Sequence, residues 1–143
     1  MTTNRSLARW ACMLLLACAA FPFATRAANN AAERVVLQVS DGSSVTWNQA
    51  LNVVGNLREA YGPGTQIELV AFGQGIHMLK FDAPVASRLL EAQKDGAKIY
   101  ACENSMARNK LKREDMDPDL IYVEAGVKEI ITRQREGWVV LRP

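Results

Sequence analysis

From Arg34 onward the chain alternates short β-branched apolar runs with longer stretches whose apolar residues recur every three or four positions. Residues 34–40 predict a strand that stops at Asp41-Gly42-Ser43-Ser44. Residues 46–61 predict a helix: Leu51, Val54, Leu57 and Tyr61 share one face, and Gly62-Pro63-Gly64 ends it. Residues 67–72, apolar except for Glu68, predict a second strand closed by Gly73-Gln74-Gly75. Residues 76–81 fit either a short helix or an irregular loop. Pro84 suits the first turn of a helix running to Asp95, with Val85, Leu89, Leu90 and Ala92 as its buried stripe and Gly96 as its stop. Residues 98–102 predict a third strand, 105–111 a short helix and 120–123 a fourth strand. The last helix is expected over 127–136, with Ile130 and Ile131 inward and Gly137 at its end, before a fifth strand over 138–141. Trp47 and Trp138 are expected in the core or at a subunit contact.

Five strands separated by four helices imply an α/β fold: a mostly parallel sheet covered on both faces. In such folds ligands gather beyond the carboxyl ends of the strands. Asp41 with Gly42, Gly73 with Gly75, and Cys102 all map to that edge.

Ahead of this pattern the chain has a different character. Arg5 and Arg9 precede an apolar run over 10–23, and Ala24-Thr25-Arg26-Ala27-Ala28 offers small residues for cleavage after Ala27. This reads as a secretory signal over 1–27, followed by a disordered leader over 28–33 and a domain over 34–143. The protein is therefore expected to be periplasmic or secreted, from a bacterium. Leu15-Leu16-Ala17-Cys18 offers an alternative, a lipoprotein signal with Cys18 lipidated, and only then is a membrane partner expected. After the signal, fourteen basic residues face fifteen acidic ones, a net charge of about −1. The formal charge of +2 belongs to the signal, so nucleic-acid binding is not expected.

Cysteines occur at 12, 18 and 102, so an exported domain would carry one thiol, Cys102, with no internal partner. It is reactive, paired with another chain, or a small buried apolar residue. Its place at a strand-to-helix corner gathers amide donors and the positive end of a helix dipole, which favour a thiolate. Asn104 and Ser105 are the candidates to stabilise that anion, and the neighbouring charge of Glu103 opposes it. Cys102-Glu103-Asn104-Ser105 also has the C-x-x-S form of monothiol redox domains, with Pro118 as a loose match for the proline those domains place opposite.

His77, the sole histidine, fits either a proton acceptor near Cys102, with residues 75–80 folded over the pocket, or a loop residue with one hydrogen bond. Asp41, Gly73, Gly75 and His77 are the candidate pocket residues. One histidine and one cysteine do not assemble a metal site, and no cofactor is expected. Gly73-Gln74-Gly75 lacks the third glycine of a dinucleotide fingerprint and reads as a tight turn. Arg108, Lys110, Lys112 and Arg113, balanced by Glu114, Asp115, Asp117 and Asp119, read as a solvated surface or as an attractor for an anionic sulfur compound.

Four segments carry a resemblance: Ala101-Cys102-Glu103-Asn104-Ser105-Met106, residues 111–116, Tyr122-Val123-Glu124-Ala125-Gly126-Val127, and residues 130–143 with Arg133-Gln134-Arg135-Glu136-Gly137-Trp138. Together with residues 35–40, 51–61 and 67–75, they make the chain resemble the DsrE/DsrF-like proteins. The resemblance implies a three-layer α/β/α domain that forms homo-oligomers, often trimers or hexamers. It also implies a cysteine that takes up sulfur as a persulfide from a donor protein and passes it to an acceptor; Cys102 matches that position in kind. The residues after Cys102 differ from those of the relay subunits, which are cytoplasmic. The competing reading is a non-catalytic oligomeric binding or scaffold module with a structural Cys102; a monothiol redox protein is the third.

Overall fold

The computed structural model describes residues 32–143. The five apolar segments form strands β1 (Arg34–Val39), β2 (Gln66–Ala71), β3 (Lys98–Cys102), β4 (Ile121–Val123) and β5 (Val139–Leu141). Helices α1 (Ser44–Tyr61), α2 (Ala86–Lys94), α3 (Glu103–Arg108) and α4 (Gly126–Arg135) alternate with them. Every strand pair is parallel, in the order β4-β3-β2-β1-β5. The expected signal, and the leader as far as residue 31, lie outside the described residues. Pairing begins slightly earlier than expected, because the Glu33 carbonyl already accepts the Gln66 amide at 2.8 Å.

The strand order decides how the faces are covered. From β1 to β4 the chain steps across the sheet in one direction, and right-handed crossovers keep the connections on one side. The return from β4 to β5 places α4 on the other. Strand alternation sorts the side chains accordingly. Val35, Leu37, Val39, Ile67, Leu69 and Ile99 pack against α1, α2 and a 3-10 helix over Gly73–Leu79. Val36, Val70 and Tyr100 face α4 through Ile130, with Trp138 closing that cluster.

Glu68 explains itself on this second face. It is buried, and its carboxylate takes a 2.6 Å ion pair from Arg133 of α4 and a 3.0 Å hydrogen bond from the Tyr100 hydroxyl. Arg133 also pairs with Glu129 and Glu136 and lies 5.3 Å from the Trp138 ring. The polar interruption of an apolar strand is thus the anchor of the one helix on that side.

Some inward assignments are corrected. Tyr61 is 59% exposed. It keeps the angular phase of buried Val54, two turns earlier, but an 18-residue helix is about 27 Å long and outruns six-residue strands of about 20 Å, so its last turn overhangs the sheet. Leu90 and Ile131 are also exposed. Each follows a buried residue, Leu89 or Ile130, and successive positions point about 100° apart on a helix, so only one of each pair can face the sheet. The ambiguous stretch after Gly75 belongs to the 3-10 helix over Gly73–Leu79, which begins inside the expected tight turn. Both tryptophans are core residues.

Candidate functional site: a cavity beyond the carboxyl ends of the strands

Because β1, β2 and β3 are neighbours, the residues at their carboxyl ends come side by side. Ser40, Phe72, Gly73 and Cys102 line one cavity of about 690 Å³. Cys102 ends β3 and is also the N-cap residue of α3, which starts two positions earlier than the periodicity predicts. It is only 4% exposed, yet it forms part of the cavity wall. Alternation along β3 turns it, like Tyr100, to the α4 side.

Two helix starts meet there. The Glu124 carbonyl, just before α4, accepts the Asn104 amide at 3.1 Å and receives the Cys102 thiol at 3.9 Å. Ala125, Gly126 and Val127 also line the cavity. Gly126 permits this approach: a Cβ there would lie 3.1 Å from Val70, 3.2 Å from Phe72 and 3.4 Å from the Cys102 Cβ. Ala125 caps α4 without a side-chain bond, and the Gly126 and Val127 amides have no backbone acceptor among the described residues. A helix start leaves such donors free and carries partial positive charge, so this wall favours an anion.

The floor is polar. Ser105 is buried, and its Oγ accepts the Gly73 amide at 2.8 Å; its own proton has no acceptor among the described residues. Asn109 ties α3 to the 3-10 helix: its Nδ2 donates to the Ser105 carbonyl at 2.8 Å, and its Oδ1 accepts from Gln74 Nε2 at 3.3 Å. Arg108 also lines the cavity and pairs with no carboxylate among the described residues.

The sequence-predicted residues divide. Cys102, Asn104, Ser105 and Gly73 come together at the cavity. The Asn104 amide is spent on Glu124, and only its side chain remains to act there. Asp41 does not line it. Its carboxylate accepts the Ser43 amide at 2.9 Å and its carbonyl the Trp47 indole N–H at 2.8 Å, so it shapes the entry to α1. Gly75 lies behind the wall, where a Cβ would overlap the Val39 carbonyl. His77 does not line the cavity either: the 3-10 helix directs its Nε2 to Asn109 Oδ1 at 3.1 Å, the single-hydrogen-bond role.

The charged run is largely exposed surface, with Asp117 as its buried exception. Arg113 pairs with Glu103 at 2.6 Å and covers the Tyr122 ring at 4.1 Å. Asp117 is buried and accepts from Gln93 and the Asp119 amide. No group of three metal-ligating side chains occurs among the described residues. Sequence reasoning missed Asn109, Gln74 and Gly126. The one available signal was Gly126 itself, a glycine opening a helix directly after a strand.

The fold recurs among solved structures. A protein of unknown function from Methanobacterium thermoautotrophicum, MTH1491, is 27% identical with a TM-score of 0.73, covering 78% of this chain and 99% of that one. A protein of unknown function from Bacteroides thetaiotaomicron, BT1422, is 14% identical at a TM-score of 0.65, covering 78% of this chain and 95% of its own. The ychN protein from E. coli is 12% identical at 0.60, covering 78% and 99%. No curated protein matches the chain. The DsrE/DsrF-like family model matches residues 20–143, almost the whole sequence, and the chain belongs to that family.

Proposed function

We propose that Cys102 carries sulfane sulfur as a persulfide and passes it to a partner thiol. The observation that carries this reading is the position of Cys102: sheltered, but on the wall of a cavity where three strand ends and two helix starts converge. A carrier needs a thiol that becomes an anion, a wall that keeps the terminal sulfur from oxidants, and an opening for the donor. The positive helix ends serve the first need, and burial serves the second. Membership of the DsrE/DsrF-like family supports sulfur-relay chemistry in general.

Burial of Cys102 at 4% exposure also favours a second reading, a structural cysteine in an oligomeric binding module. Inorganic polysulfide separates the two. Intact-mass measurement of a carrier shows the gain of one sulfur atom, lost in Cys102→Ser and discharged by added thiol. An unmodified native protein whose thiol reacts only after unfolding favours the structural cysteine. A redox role would instead give a lasting mixed disulfide with glutathione.

Export and self-assembly belong to the same proposal. The apolar run after Arg9 motivates the first, and cell fractionation with N-terminal sequencing checks it. Exposed Val127 and Ile131, one turn apart on α4, motivate the second, which light scattering checks; a monodisperse monomer would count against it.

A further inference from the structure

We propose that the cavity binds the sulfur donor itself, and that this donor is a small organic persulfide bearing a carboxylate, which Arg108 holds. The inference rests on Cys102 acting as a carrier. Size is the first observation. A volume of about 690 Å³ lies within the roughly 300–1,000 Å³ of pockets that enclose whole small molecules, and a bare sulfide would leave it nearly empty. Charge is the second. Among the described residues, Arg108 is the only charged side chain on the wall, and it pairs with no carboxylate. A planar guanidinium matches a carboxylate with two parallel hydrogen bonds, and the free amides at the start of α4 add donors to the lining. The third is Ser105. It is buried, keeps an unspent hydroxyl proton, and lines the same cavity as Cys102. Phe72 and Val127 supply apolar wall for the methylene stem that joins a thiol to its carboxylate.

The transfer balances without an oxidant. Cys102 gives its proton to solvent, and its sulfur attacks the terminal sulfur of R–S–SH. A bond forms between those two atoms while the donor's own S–S bond breaks, and the electron pair leaves on the inner sulfur. The Ser105 hydroxyl donates to that departing thiolate, which then takes up a proton. The net change is Cys102–SH plus R–SSH giving Cys102–SSH plus R–SH.

The test uses the full chain, glutathione persulfide and its diethyl ester, with the initial rate of sulfur gain at Cys102 read by intact mass against donor concentration. The acid form is expected to load about tenfold more efficiently, the effect of one charge-assisted contact. Arg108→Ala is expected to bring its rate down to that of the ester, and Arg108→Lys to recover part of it; Arg108 is exposed, so neither change threatens folding. Equal loading by both donors, or a loss of the same factor with both in Arg108→Ala, overturns the assignment. Loading from a persulfidated protein but from neither small donor overturns it in favour of a protein donor. Polysulfide keeps the two proposals apart: if it loads Cys102 without any charge preference among organic donors, only the donor assignment falls. If it too leaves Cys102 unmodified, the carrier reading falls.

Discussion

Tyr100 shows how a single side chain records its surroundings. Its hydroxyl donates to buried Glu68, and Arg133 donates to it at 3.3 Å. Burial raises its pKa above the ordinary 10.0; the Arg133 hydrogen bond opposes this and the Glu68 charge adds to it. The folded state therefore holds the proton more tightly than the unfolded state. The stabilisation is complete below the unfolded value near 10 and is lost as pH rises through the folded one. Phenolate absorbance should contain a component titrating above the ordinary tyrosine value that disappears in Tyr100→Phe, and wild type should lose more stability above pH ~10 than that variant. A difference between wild type and Tyr100→Phe that titrates at or below the ordinary value would refute this. At this scale the sequence identified Cys102 and its position at a strand end. It did not reveal that the Glu124 carbonyl takes the Asn104 amide, because those corners are brought together only by pairing of β3 with β4.

Among the elements, α4 covers its face of the sheet alone and contributes one buried large apolar side chain, Ile130. Its hold depends on the Arg133–Glu68 pair, whose carboxylate side chain is 3% exposed and whose guanidinium is 22% exposed. Removing one partner of a buried pair leaves the other charge unsolvated, at about 3 kcal/mol; replacing both with apolar side chains of similar volume is often neutral. Arg133→Ala should therefore lower stability by about 3 kcal/mol in urea denaturation, and Glu68→Leu with Arg133→Met should recover most of that loss. A double variant as unstable as Arg133→Ala would mean that the pair is not what holds α4. Because α4 also forms a wall of the Cys102 cavity, the same Arg133→Ala variant tests whether anchoring at one end of this helix reaches the site at the other. The element boundaries themselves were largely legible. Glycine and proline punctuation ended α1 and α2 where expected, and β-branched runs marked the strands. Inward faces were less so, because Leu90 and Ile131 are as apolar as their buried neighbours.

In the whole molecule, one parallel sheet is shared by two apolar layers of unequal size. Trp47 reports on the larger layer and Trp138 on the smaller. Since β1 and β2 contribute to both, the layers should melt together. In a chain starting at Ala32, Trp47→Phe and Trp138→Phe each leave one fluorescent probe, and each variant's fluorescence midpoint should coincide with its own circular-dichroism midpoint. An earlier fluorescence change in Trp47→Phe, which keeps Trp138, would show the α4 layer opening by itself. The order of runs, breaks and periodicities determined the α/β class, the parallel sheet and Cys102 at its carboxyl edge, because those follow from local backbone preference and from which faces must avoid water. Only the tertiary structure decided that Arg108, Ser105, Gly73 and the start of α4 share a cavity with that cysteine, while Asp41 and His77 turn elsewhere. Side-chain direction at a strand end depends on register, crossover side and helix approach, and these are fixed by contacts between residues far apart in the chain.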